Sequence, residues 1–115
     1  MAKTTLPDAL TRRHWLSEDM DAARATATAN AYLAEDRRFE AIAFFAKADD
    51  RDALESLAEE ALTSGDLFLF RAVHEALQVA PTRQMWEKLA STAEAAGKDQ
   101  YAAEARRQVA AAGGS

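Results

Sequence analysis

The sequence predicts an all-α protein of about six to seven antiparallel helices stacked as helical hairpins, on three observations. Alanine supplies 29 of the 115 residues, and with leucine, glutamate and arginine it gives a chain of strong helix formers. Valine and isoleucine are too rare to build a sheet core. Residues 51–65 (RDALESLAEEALTSG) match residues 83–97 (RQMWEKLASTAEAAG) at an offset of 32. Glu55, Leu57, Ala58, Ala61 and Gly65 fall on Glu87, Leu89, Ala90, Ala93 and Gly97, and Leu54 falls on Trp86. A self-match at a period of about 20–50 residues marks stacked hairpins, whose usual work is to hold another molecule.

Each element follows from local signals. Pro7 suits a first helical turn, so residues 7–16 read as a short opening helix. Ser17 can cap a second helix that runs to about Glu35, with Glu18, Asp19 and Asp21 at its positive end. Ala22, Ala25, Ala29, Tyr32 and Leu33 share one face of it. Residues 37–48 (RRFEAIAFFAKA) are apolar on two sides, the pattern of a helix between neighbours. Asp49, Asp50 and Asp52 end it and supply a cap for residues 51–64, where Leu54, Leu57, Ala58, Ala61 and Leu62 form the apolar stripe.

Gly65 gives a left-handed exit and Asp66 caps residues 67–78, whose first turn (LFLF) is expected to be deeply buried. Pro81 and Thr82 break and restart the chain. Residues 83–96 carry Trp86, Leu89, Ala90 and Ala93 inward, Gly97 closes them, and residues 100–112 follow after Lys98 and Asp99. Connections this short favour antiparallel neighbours. The domain expectation is one all-helical domain over residues 1–112, with a capping helix in 1–20, hairpins at 21–48, 51–80 and 83–112, and a flexible tail at 113–115.

Trp86, Leu89, Ala93, Gly97, Tyr101 and Ala102 together resemble a tetratricopeptide repeat. Leu54, Leu57, Ala61, Gly65, Leu67 and Pro81 look similar, and residues 22–48 look like a shorter copy. The resemblance covers about 90 residues and implies a tetratricopeptide-like α-solenoid. Ala58 and Ala90 stand where the family has glycine, Phe70 stands where it has a small alanine, and Arg37 stands at the first turn. An irregular helical bundle is the alternative architecture.

Charge and composition exclude several functions. The net charge of −5 opposes general nucleic-acid binding, so Arg12, Arg13, His14 and Trp15 read as a docked helix with its arginines in water. The absence of cysteine removes disulfides, thiolate metal sites and thiol catalysis. With no secretory signal and no apolar run long enough to span a bilayer, the expectation is a cytoplasmic protein with no membrane partner. Ten arginines against four lysines, with the alanine excess, hint at a GC-rich bacterial genome.

His14 and His74 lack a metal-ligand partner at helical spacing, and the cluster Asp49, Asp50, Asp52 lacks the glycine of a calcium loop. No serine lies in a nucleophile motif, and no glycine-rich phosphate loop is present. The expectation is a non-enzyme with no cofactor and no metal.

If the first helix of each hairpin lines the concave side, as the resemblance implies, Asp52, Glu55 and Glu59 form a stripe beside the apolar face of 51–64. Gln84, Glu87, Ser91 and Glu94 form the matching stripe on 83–96. Stacked in parallel, the two stripes would make an acidic groove for a basic segment of a protein or peptide partner; the bland alternative is a solvated face. The leading function is therefore a non-catalytic interaction module or small adaptor subunit. The second reading is a small-molecule or metal-responsive regulator with a pocket between hairpins near His74, Trp86 and Tyr101. Apolar surface left open on the last helix would favour a homodimer.

Overall fold

The computed structural model describes residues 6–18 and 20–112. These form seven α-helices: α1 (Ala9–Ser17), α2 (Ala22–Ala34), α3 (Arg38–Lys47), α4 (Arg51–Ser64), α5 (Leu67–Leu77), α6 (Arg83–Ala95) and α7 (Asp99–Ala112). No strand occurs among the described residues, so the all-α class stands. None of these helices is long and apolar enough to cross a membrane.

Five helices start the same way. A side-chain oxygen of Asp8, Asp21, Asp50, Asp66 or Thr82 accepts the backbone N–H three residues on, at 2.7, 2.8, 3.1, 3.1 and 3.2 Å. Each cap satisfies one of the orphan donors of a first turn. At Asp8 the accepted Thr11 N–H also holds the carboxyl below its usual range.

Two starts differ from the sequence reading. The cap of α2 is Asp21, not Ser17; Ser17 instead closes α1, its hydroxyl donating to the His14 carbonyl at 2.8 Å. A carboxylate directly before the alanine run outcompetes a hydroxyl four residues earlier. Pro7 precedes the α1 cap rather than sitting in its first turn. Asp19 and the expected tail at 113–115 lie outside the described residues.

The exits of α2, α3 and α6 are alike. Gly97 and Lys98 donate to the carbonyls of Glu94 and Ala93 at 3.0 and 2.8 Å, the paired bonds of a Schellman turn. Asp36 and Arg37 do the same on Leu33 and Tyr32, and Asp49 and Asp50 on Ala46 and Phe45. Such turns need one residue with positive φ. Gly65 (φ 70) and Gly97 (φ 77) supply it as expected, while Asp36 (φ 61), Asp49 (φ 55) and Gln78 (φ 58) adopt it without being glycine. The glycine that seemed missing at Arg37 is thus replaced one residue earlier, by Asp36.

The chain divides into two compact units, Met1–Leu54 and Glu55–Ser115. In the first, α2 packs on α3 as a hairpin and α1 touches α3. Its core holds Ala25, Thr28, Ala29, Tyr32, Phe44 and Phe45, with Tyr32 stacked on Phe44 at 5.7 Å. Alanines on α2 let its neighbour approach closely. The α1 helix is fastened by the Arg24 guanidinium 4.6 Å over Trp15 and by the Lys47 ammonium on the Leu16 carbonyl at 3.0 Å. Of the two apolar sides of α3, Ile42 is buried while Phe39, at the start of the helix, is exposed.

In the second unit α6 packs on α7, and the core holds Leu57, Ala61, Phe70, Val73, Leu89 and Ala93. The first turn of α5 is only partly buried: Leu67, Leu69 and Phe70 turn inward, but Phe68 is 55% exposed. About 100° per residue cannot send four successive side chains to one side. Phe68 instead meets the edge of Tyr101 on α7, ring centres 5.3 Å apart.

Candidate partner-binding surface

The second unit is held by contacts that recur along α4 and α6. The Thr92 hydroxyl donates to the Leu62 carbonyl at 2.6 Å, and the Lys98 ammonium donates to the Ser64 carbonyl at 3.0 Å. Lys88 pairs with Glu59 at 3.2 Å. Where these helices meet, the Gly65 turn leaves no room for a side chain: a Cβ there would lie 2.6 Å from the Ala93 Cα. Glycine is therefore required twice at this position, for its backbone angle and for the close approach.

Glu55, Glu59, Gln84, Glu87, Ser91 and Glu94 are all exposed in this unit. Asp52, also exposed, belongs to the first unit. Three of the acidic groups carry a cation from the same chain: Glu59 has Lys88, Glu87 has Arg83 at 3.1 Å, and Glu94 has Arg106. The acidic bias is thus smaller than the sequence alone suggests. These pairs are exposed and individually weak, so an incoming cation can exchange for Arg83 or Lys88 at little cost.

Glu87 and Ser91 line one cavity of about 280 Å³ with Ala90, Arg106 and Val109. It opens between α6 and α7, with an apolar floor from Ala90 and Val109 and polar walls from the other three. Sequence reasoning missed Arg106 and Val109. The offset of 32 that aligned α4 with α6 also aligns His74 and Leu77 of α5 with Arg106 and Val109, and that extension of the repeat was the signal available.

A second cavity, about 310 Å³, is lined by Arg71, His74, Trp86 and the turn from Gln78 to Pro81. It brings together two of the three residues expected around a ligand pocket. Tyr101 lines another cavity, with Gly97, Lys98, Asp99 and Gln100. His74 is 7% exposed and faces the Val79 carbonyl through Nδ1 at 3.0 Å. A carbonyl only accepts, so Nδ1 carries the proton and His74 ties the α5 exit to its own helix. The Phe70 ring lies 4.5 Å from the imidazole and 5.2 Å from the Trp86 ring.

Beside this cleft, Arg71 reaches Glu104 on α7 at 2.7 Å. Glu104 also accepts from Gln108 and Arg107, and the three bonds lower its pKa from an ordinary 4.5 to about 2, with Gln108 the largest cause. His14, in the first unit, pairs with Glu18 at 3.6 Å. Among the described residues no three His, Cys, Asp or Glu side chains converge as metal ligands would. No family model matches the chain, and neither the curated proteins nor the solved structures give a match.

Proposed function

We propose that the chain is a non-catalytic protein-interaction module, a small adaptor of helical-hairpin-repeat type similar in plan to tetratricopeptide proteins and working in the cytoplasm. The observation that carries this reading is the α6–α7 groove, where the exposed Glu87 and Ser91 flank an apolar floor of Ala90 and Val109. A floor of small apolar side chains with exchangeable charges at its rim suits a peptide or helix of another protein better than it suits a reacting small molecule. A basic partner segment would displace Arg83 from Glu87 and recover the same Coulombic contact.

The test is affinity capture from cell lysate at low and high salt by the native chain and by the double variant Glu55→Lys plus Glu87→Lys. A partner retained at low salt and weakened roughly tenfold by the double reversal fits the proposal. A partner held equally by both proteins sinks the groove assignment.

The cleft at His74 and Trp86 favours a second reading, a regulator that binds a small ligand there. Thermal shift against a metabolite and metal panel tests it, since a ligand of the folded state raises the midpoint. Binding unaffected by Trp86→Phe would remove that reading.

A further inference from the structure

The two hairpin units of the second compact region differ in occupancy: the surface of one is filled and that of the other is open. At an offset of 32, Glu55, Ala58 and Glu59 correspond to Glu87, Ala90 and Ser91, and the Gly65 turn corresponds to the Gly97 turn. His74 and Leu77 correspond to Arg106 and Val109. The α6–α7 groove is therefore the counterpart of the surface that α4 and α5 offer to α6.

The filled copy shows how that surface binds a helix. Ala93 presses onto the Gly65 turn, the Trp86 ring meets Phe70, and the Thr92 hydroxyl takes the Leu62 carbonyl. Lysines lie on both sides of the contact, Lys88 on Glu59 and Lys98 on the Ser64 carbonyl. The last turn of α4 carries no basic residue of its own, so Lys98 supplies the cation that its carbonyl end favours.

The open copy keeps the glycine turn and the alanine floor, with Ser91 in place of Glu59 and Ala102 in place of Phe70. Gly97 keeps the left-handed turn at φ 77, yet a Cβ there would meet nothing within 4 Å. Val109 is half-buried where its counterpart Leu77 is buried, and the Arg106 side chain is 54% exposed where His74 is buried. The last turn of α6, like that of α4, has no basic residue.

We propose that the α6–α7 groove and the Gly97 turn seat a helix of a basic partner protein, docked as α6 docks on α4. A small residue of that helix lies over Gly97, and a lysine about five residues further on reaches the carbonyl end of α6. Glu87 and Glu94 receive a second cation at the rim, in place of Arg83 and Arg106. The inference rests on the interaction-module reading and specifies the partner as helical, basic and small at its point of closest approach.

The probe is a synthetic peptide with the sequence of residues 83–98, which carries the required alanine and lysines. It is titrated into the full ¹⁵N-labelled chain. The expected result is saturable shifts at Ser91, Glu94, Gly97 and Val109, weakened at least about tenfold in a peptide with Ala93→Phe and in one with Lys88→Glu plus Lys98→Glu. Two chain variants, Gly97→Leu and Val109→Glu, are expected to lose the shifts while keeping their helical circular dichroism, and either suffices if the other fails to fold.

Shifts centred on Gly65, meaning that the peptide displaces α6, would overturn the assignment, as would no shifts at all. A chain that sediments as a dimer and becomes monomeric in Gly97→Leu would make the occupant a second copy and refute the partner. If lysate capture still depends on Glu55 and Glu87 while the peptide leaves Gly97 unmoved, the seat fails and the module reading survives.

Discussion

Gly65 and Gly97 occupy the same place in two successive hairpins with similar backbone angles, but only at Gly65 would a side chain strike a neighbour. The helix exit demands a left-handed residue at both, and glycine meets that demand without strain. At Gly65 packing adds a second demand, because the Ala93 backbone lies where a side chain would begin. At Gly97 that demand is absent. The repeat thus separates two demands on one position: backbone angle and close packing at Gly65, backbone angle alone at Gly97.

This comparison can be broken or sharpened by mutation. The largest effect is expected from Ala93→Leu, which adds three carbons to a fully buried position facing the Gly65 turn. Overpacking and a forced separation of α4 from α6 should remove about 3 kcal/mol in urea unfolding. A loss near zero would mean that the contact is not tight. Thr92→Val keeps the shape but deletes the hydroxyl on the Leu62 carbonyl; about 1 kcal/mol should be lost in the same experiment.

A gain is expected at the α5 exit. Gln78 holds φ 58 with an ordinary side chain, so Gln78→Gly should stabilise by up to about 1 kcal/mol, reduced by the added freedom of the unfolded chain. The last effect depends on pH. Glu104 has its pKa depressed to about 2, so the stability it contributes is complete above its unfolded value and disappears as pH falls through about 2. Glu104→Gln should flatten the acid limb of the stability curve between about pH 4.5 and 2 without steepening any limb near neutrality. An unchanged acid limb would dismiss the Arg71, Arg107 and Gln108 cluster as a native contact.

Much of the helical layout was legible in the sequence because helices are local. Asp50, Asp66 and Thr82 cap, and Gly65 and Gly97 terminate, from interactions within a few residues. Competing caps are harder to rank. Ser17 and Asp21 both suit an N-cap, and only the carboxylate adjoining the alanine run takes the role. The turn at Asp36 was hidden because aspartate adopts the left-handed angle without the glycine that usually signals it.

Charge was legible as composition but not as pairing. Lys88 is 29 residues from Glu59, and Arg106 is 12 from Glu94, so their neutralising contacts depend on packing that no helical wheel contains. Phe68 was misjudged for a simpler reason. A run of four apolar residues looks like a buried block until the rotation of the helix assigns one of them outward.

Urea unfolding of Gly65→Ala and Gly97→Ala, side by side with the native chain, tests most directly the claim that one turn is filled and its counterpart is open. Both variants bear the left-handed strain, about 1 kcal/mol, and only Gly65→Ala also drives a methyl into the Ala93 backbone. The account predicts a loss of about 1 kcal/mol for Gly97→Ala and at least about 3 kcal/mol for Gly65→Ala. Equal losses would show that both turns are free or both are filled, and would contradict it.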